Sequence, residues 1–215
     1  HSALSFRHFV LGTVAIFIYV GVEVGIPNFA NLFMTSPEIN IDPTIAGSVV
    51  GTYWFLMMIG RLCGASIGAK VSSRAMLTVV STVGIALVLG AIFCADNILV
   101  NMPVFKSDIS FGFAQVPVNV MLLILCGLCT SVMWGGIFNL AVEGLGKYTA
   151  AASGLFMVMV CGGGILPLIQ GGVADFAGFL NSYWVIALGL AYILFYAAIG
   201  SKNVNTDTVS YTHLT

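Results

Sequence analysis

The chain has 215 residues, of which 59% are hydrophobic and 7% are charged, and its formal net charge is −1. A soluble domain carries about 25% charged residues, so this chain cannot cover a water-facing surface. No basic patch is present to bind phosphates, so no nucleic-acid partner is expected. The composition predicts a polytopic membrane protein surrounded by the lipid bilayer.

Apolar runs of membrane-spanning length alternate with short polar connections along the chain. They predict an all-α membrane protein with a six-helix transmembrane bundle over 9–200. Residues 1–8 are predicted as a cytoplasmic stub, and 201–215 as a polar tail outside the fold. The chain does not begin with Met, and we expect it to be a fragment of something longer. The six predicted spans are 9–34, 45–69, 76–95, 118–142, 150–174 and 182–200.

The first run holds one formal charge, Glu23, near its middle. The run covers about 39 Å as a helix, more than the ~30 Å hydrocarbon core requires. A carboxylate at that depth costs ~2.5–3.5 kcal/mol on insertion scales. We therefore expect Glu23 to face either a functional cavity or a buried structural partner.

Other polar residues follow the same face of the first helix. Tyr19, Glu23, Pro27 and Asn31 fall four residues apart, and Asn28 lies close to that stripe. Proline frees a carbonyl one turn earlier, so the helix is predicted to bend or unwind beside the charge. Broken helices near the midplane are common at transporter binding sites.

The fourth run carries a second polar group near its centre, Thr130, Ser131 and Trp134, with Asn139 toward the cytoplasmic end. Together with the first-helix stripe, this set is typical of a sugar site: carboxylate and amides for hydroxyls, and aromatic rings for the C–H face. The alternative is that the aromatic rings pack between helices and the amides bond neighbouring helices.

Two further charged groups are candidates for a gate. Arg61 is a second charge at membrane depth, whose long stem can reach toward the cytoplasm. Glu143 and Lys147 bracket the short loop EGLGK and are candidates for a gating ion pair with Arg61 or with Arg74. A solvated loop explains the same residues, since an exposed pair contributes only ~0–1 kcal/mol.

Catalytic and metal-binding motifs are absent from the sequence. There is no phosphate loop, GxSxG or HExxH, so we predict neither an enzyme nor a cofactor. Cys126 and Cys129 form a CxxC, but no second ligand pair accompanies them, and packing of small apolar residues is the favoured interpretation.

Lys and Arg are distributed unevenly between the two sides of the predicted bundle. Lys106 stands alone on one side, and this asymmetry predicts both termini in the cytoplasm of an inner-membrane protein. The basic residues of the other side are Arg7, Lys70, Arg74, Lys147 and Lys202.

Three blocks of sequence resemble the C-terminal half of a major facilitator sugar transporter, in the fucose and glucose/galactose:proton symporter family. The resemblance implies helices seven to twelve of twelve, arranged as two inverted three-helix repeats, with the first and fourth spans lining the cavity. It also implies a missing N-terminal six-helix half, a neutral hexose substrate, the proton as coupling ion and alternating access. The blocks are IFIYVGVEVGIPNF, IGRLCGASIGAKVSSRAML and FNLAVEGLGKYTAAASGLFMVMVCGGGILPLIQGGVAD.

The chain departs from the family pattern at two points. Gly68 stands where the loop motif usually has Asp. The coupling carboxylates are expected in the missing half, so Glu23 is expected to bind substrate more than to carry the proton. A non-transporting scaffold or sensor bundle, and a transporter of another solute, remain alternatives.

Overall fold

The computed structural model describes residues 6–37, 39–94, 99–105 and 110–200. Eight α-helices and one two-stranded sheet make up this part of the chain. Short 3₁₀ turns at Gly146–Tyr148 and Met159–Cys161 and a π-helical turn at Tyr196–Gly200 complete it. The elements are α1 (Arg7–Thr35), α2 (Pro43–Ile67), α3 (Ser73–Phe93), β1 (Leu99–Phe105), β2 (Phe111–Pro117), α4 (Val118–Thr130), α5 (Met133–Ala141), α6 (Thr149–Val158), α7 (Gly162–Ala177) and α8 (Phe179–Phe195).

Five helical segments of the described chain are long and apolar enough to cross a membrane, and Gly164–Ala177 is a shorter apolar helix. The predicted helical membrane bundle is confirmed. The five segments are Arg7–Thr35, Pro43–Ile67, Ser73–Phe93, Val118–Ala141 and Phe179–Gly200.

The predicted span at 150–174 is not one continuous helix. A 3₁₀ turn at Met159–Cys161 separates α6 from α7. Pro167 lies inside α7 and cannot donate to the carbonyl four residues earlier, at Gly163. Residues 162–164 are all glycine, which loses more conformational freedom in a helix than any other residue. Both features weaken helical pairing next to the turn.

The predicted span at 118–142 is also interrupted, between α4 and α5. The hydroxyl of Thr130 donates to the carbonyl of Gly127 at 3.3 Å, and that of Ser131 donates to the carbonyl of Leu128 at 2.6 Å. Such local bonds compete with the regular helical pairing and bend helices.

Strands β1 and β2 form an antiparallel hairpin between the third and fourth predicted spans. Met102, Val104 and Val116 are buried, whereas Phe111 and Phe113 are exposed. This alternation is the period of a strand with one buried face. No strand is predicted from the sequence, because the hairpin is short and follows a polar stretch. Lys106, used for the orientation, lies outside the described residues.

Helix α1 is the centre of the bundle and packs against α2, α4, α5, α7 and α8. It remains helical through Pro27, where the sequence predicts a bend or unwinding. It begins at Arg7 and buries Phe6 and His8, within the stretch predicted as a stub. The ring Nε2 of His8 lies 2.6 Å from the carbonyl of Glu143, which joins the start of α1 to the end of α5.

Helix α2 approaches α4 and α5 closely at glycines. A methyl group on Gly127 would lie 2.7 Å from the backbone carbonyl of Tyr53. One on Gly60 would lie 2.7 Å from the Cβ of Ser131. These contacts place the Arg61 turn of α2 directly against the α4–α5 junction.

Candidate functional site

Glu23 and Arg61 form an ion pair between α1 and α2, with 3.4 Å between Oε1 of Glu23 and Nη2 of Arg61. The Glu23 side chain is 17% exposed and that of Arg61 is 55% exposed. The carboxylate is therefore largely enclosed by protein, while the guanidinium faces an opening. Of the two settings expected for Glu23, the structure provides a charged partner, and that partner borders a cavity.

The cavity beside Arg61 has a volume of about 380 Å³. This lies within the range of about 300–1,000 Å³ that is usual for small-molecule pockets. It is lined by residues of the C-terminal half of α2, the start of α3 and the α4–α5 junction. Four predicted site residues line it, namely Arg61, Ser131, Trp134 and Asn139.

Three of these residues contribute different chemical groups to the cavity wall. The Trp134 ring is half-buried and packs edge-on against Phe156, with 5.5 Å between ring centroids. The amide of Asn139 is exposed and donates to the Ser73 hydroxyl at 3.3 Å. The third group is the guanidinium of Arg61. An aromatic face, an amide and a cation suit a polar ligand with apolar edges.

The predicted site residues of α1 do not all lie near the cavity. Tyr19 is only 1% exposed, and its hydroxyl donates to the backbone carbonyl of Thr130 at 3.1 Å. Its side chain also interacts with Glu23 and Arg61. Asn28 is exposed and Asn31 is half-buried, and neither lines the cavity. Tyr19 thus connects the ion pair to α4, whereas the two asparagines lie apart.

The candidate gate residues are not joined to Arg61 in this structure, which pairs Arg61 with Glu23. Glu143 lines a second cavity of about 540 Å³, together with Arg74 and Asn139. The Lys147 ammonium lies 5.2 Å from the centroid of the Tyr148 ring. The gating role of Glu143 and Lys147 stays a prediction.

Tyr53 is not among the site residues predicted from the sequence. It is fully buried in α2, and its hydroxyl donates to the backbone carbonyl of Glu23 at 3.2 Å. That carbonyl is the one Pro27 leaves without a helical donor. Pro27 indicates from the sequence alone that the Glu23 carbonyl needs another donor. The sequence does not show which neighbouring helix supplies that donor.

Known proteins resemble the chain over most of its length. It is 32% identical over 203 residues to a Brucella abortus protein named glucose/galactose transporter, covering 94% of this chain and 44% of that protein. It is 32% identical over 206 residues to a Helicobacter pylori protein named putative glucose/galactose transporter, covering 94% and 46%. No protein-family model matches the chain.

Solved structures give the architecture. The Escherichia coli fucose:proton symporter FucP matches with a TM-score of 0.77 at 23% identity, covering 93% of this chain and 45% of that one. A second structure of FucP, described as a major facilitator superfamily transporter in the outward conformation, gives a TM-score of 0.76. The chain has a major facilitator fold. The predicted resemblance to sugar transporters of this fold is confirmed.

The chain spans about half the length of the curated relatives it matches. Half of a major facilitator protein is six helices, which agrees with the five long apolar segments of the described residues and the shorter apolar helix Gly164–Ala177. Within the described ranges, no three His, Cys, Asp or Glu side chains cluster as a metal site.

Proposed function

We propose that this chain is the C-terminal half of a secondary active transporter for a neutral hexose. Its similarity to proteins named glucose/galactose transporter supports the substrate class. The observation that carries the proposal is the Glu23–Arg61 pair, held at membrane depth beside a cavity lined by Trp134 and Asn139. A charged pair in a membrane bundle marks a substrate or ion pathway by default.

In this proposal, each cavity group has a distinct task. Arg61 and Asn139 donate hydrogen bonds to sugar hydroxyls, and the Trp134 ring covers the apolar face of the ring. Glu23 accepts from a hydroxyl when its bond to Arg61 opens, so that substrate competes with the ion pair. Tyr19 holds the Glu23–Arg61 pair against α4 through its hydrogen bond to the Thr130 carbonyl. Ser131 forms part of the cavity wall at the α4–α5 junction.

The transport cycle requires a second bundle. Alternating access rocks two bundles around a site near the midplane. We propose that an N-terminal six-helix half is this partner and that both termini of the present chain face the cytoplasm. Proton coupling is proposed because one relative is named L-fucose-proton symporter. Because the carboxylates that carry the proton are expected in the other half, Glu23 serves substrate binding.

Uptake of labelled glucose, galactose and fucose tests the proposal, with the protein expressed from the complete open reading frame that encodes this chain. Accumulation of a hexose that collapses when the proton gradient is dissipated supports it. Arg61→Gln should lower uptake strongly, whereas Lys70→Gln, in the exposed loop after α2, should leave it near the wild-type level. Absence of hexose uptake by a protein that reaches the membrane would contradict the proposed substrate class.

A further inference from the structure

The backbone carbonyl of Glu23 lacks its usual helical partner. In an α-helix, each carbonyl accepts from the N–H four residues later. For Glu23, that residue is Pro27, which has no N–H. Helix α1 is nevertheless continuous through this turn. A buried carbonyl without a donor is costly, so the replacement donor matters for this turn of the helix.

The hydroxyl of Tyr53 supplies that donor from α2. It donates to the Glu23 carbonyl at 3.2 Å and lies 3.2 Å from the hydroxyl oxygen of Thr130. Since the Tyr53 proton goes to the Glu23 carbonyl, the contact with Thr130 is a hydrogen bond only when the Thr130 hydroxyl donates to Tyr53 instead of to the carbonyl of Gly127, 3.3 Å away. Tyr53 is fully buried, so its hydroxyl is not exposed to bulk solvent.

The bond joins the same three helices that surround the ion pair. Tyr53 lies on α2 two turns before Arg61, and it holds the α1 backbone at the residue whose carboxylate Arg61 contacts. The backbone carbonyl of Thr130 also accepts a hydrogen bond from the hydroxyl of Tyr19. A shift of this α1 turn would therefore move the Glu23 carboxylate relative to the guanidinium and to the cavity beside it.

We infer that Tyr53 is a positioning residue for sugar binding: its hydroxyl replaces the N–H that Pro27 lacks and holds Glu23 against Arg61. The inference rests on the proposed function. It assigns Tyr53 no contact with the substrate, since Tyr53 is fully buried and is not among the residues that line the cavity.

A double-mutant cycle between Tyr53 and Pro27 tests the inference in the full-length protein. Tyr53→Phe removes the hydroxyl and keeps the ring, and the KM for the transported hexose should rise about three- to tenfold, the range for one lost buried hydrogen bond. Pro27→Ala restores an N–H that can donate to the Glu23 carbonyl. In that background, Tyr53→Phe should change KM less than about twofold.

Tyr183→Phe is the matched control. Tyr183 is equally buried and donates to another α1 carbonyl, that of Ile26, at 2.7 Å. The residue four positions later is Ala30, which has an N–H, so the Ile26 carbonyl keeps a helical donor. We expect less than a twofold change in KM. An unchanged KM in Tyr53→Phe, or an equal rise in both Pro27 backgrounds, would overturn the inference.

Thermal unfolding of the same variants separates this inference from the proposed function. If the wild type transports no hexose, the proposed function fails, and the cycle is then evaluated by Tm alone. A Tm loss in Tyr53→Phe that Pro27→Ala suppresses supports the bond. If Tyr53→Phe reaches the membrane only together with Pro27→Ala, the bond is supported at the level of folding. Equal loss or equal failure in both backgrounds contradicts it.

Discussion

Gly127→Ala should separate α2 from α4 and destabilise the bundle. The added Cβ would lie 2.7 Å from the backbone carbonyl oxygen of Tyr53 and 3.2 Å from its ring. Ordinary contact begins at about 3.4 Å, so the helices must move apart by about 0.7 Å. The neighbour is backbone, which cannot rotate away as a side chain can. Overpacking of this kind costs ~1–3 kcal/mol.

The expected effect is a Tm of the six-helix half lowered by roughly 2–12 °C, at about 2–4 °C per kcal/mol for an unfolding unit of about 150–250 residues. Thermal unfolding of the detergent-solubilised full-length protein measures it. Gly84→Ala is the matched control, because its Cβ would meet Leu190 at 3.5 Å and Cys129 at 3.7 Å, both ordinary contacts. Its Tm should stay level or rise. Equal Tm values for the two variants would refute the close approach of α2 and α4.

Two further predictions concern the ligand face and the orientation. Trp134→Ala should raise the hexose KM about two- to tenfold, taking the ~0.5–1.5 kcal/mol of an aromatic pair as the scale for a ring on a sugar face. Trp184→Ala removes a ring on α8 that packs against Phe93 and should leave KM unchanged. Equal KM values for the two variants would exclude Trp134 from the site. The orientation is tested in a cysteine-free background with an impermeant thiol reagent added outside the cell. Asn101→Cys, at an exposed position of the hairpin, should react, and Lys70→Cys should not. The reverse pattern would invert the proposed topology.

Hydropathy predicts the bundle because lipid imposes one strong constraint: every backbone group of a span must be paired internally. Long apolar runs such as Arg7–Thr35 therefore stand out. The breaks between α4 and α5 and between α6 and α7 do not change the hydropathy. They depend on local competition for hydrogen bonds at Thr130 and Ser131, and on Pro167, which a hydropathy window averages out.

The candidate site is predictable only as a set of polar residues at membrane depth. That criterion finds Glu23, Arg61, Trp134 and Asn139, which the structure brings to one cavity or its edge. It does not find which charges pair, because pairing depends on helix packing rather than on spacing. Tyr53 escapes it entirely, since a tyrosine in an apolar run has the same hydropathy whether its hydroxyl is free or holds a neighbouring carbonyl.

Hexose uptake by Glu23→Gln in the full-length protein tests whether Glu23 binds the substrate. The substitution keeps the side-chain shape and part of its hydrogen bonding but removes the charge that faces Arg61. If Glu23 binds sugar hydroxyls, apparent affinity should fall while proton-driven accumulation survives. Loss of accumulation with intact exchange would assign the proton to Glu23 instead. Wild-type affinity together with wild-type accumulation would contradict a role of Glu23 in substrate binding, because Glu23 would then hold Arg61 for structure alone.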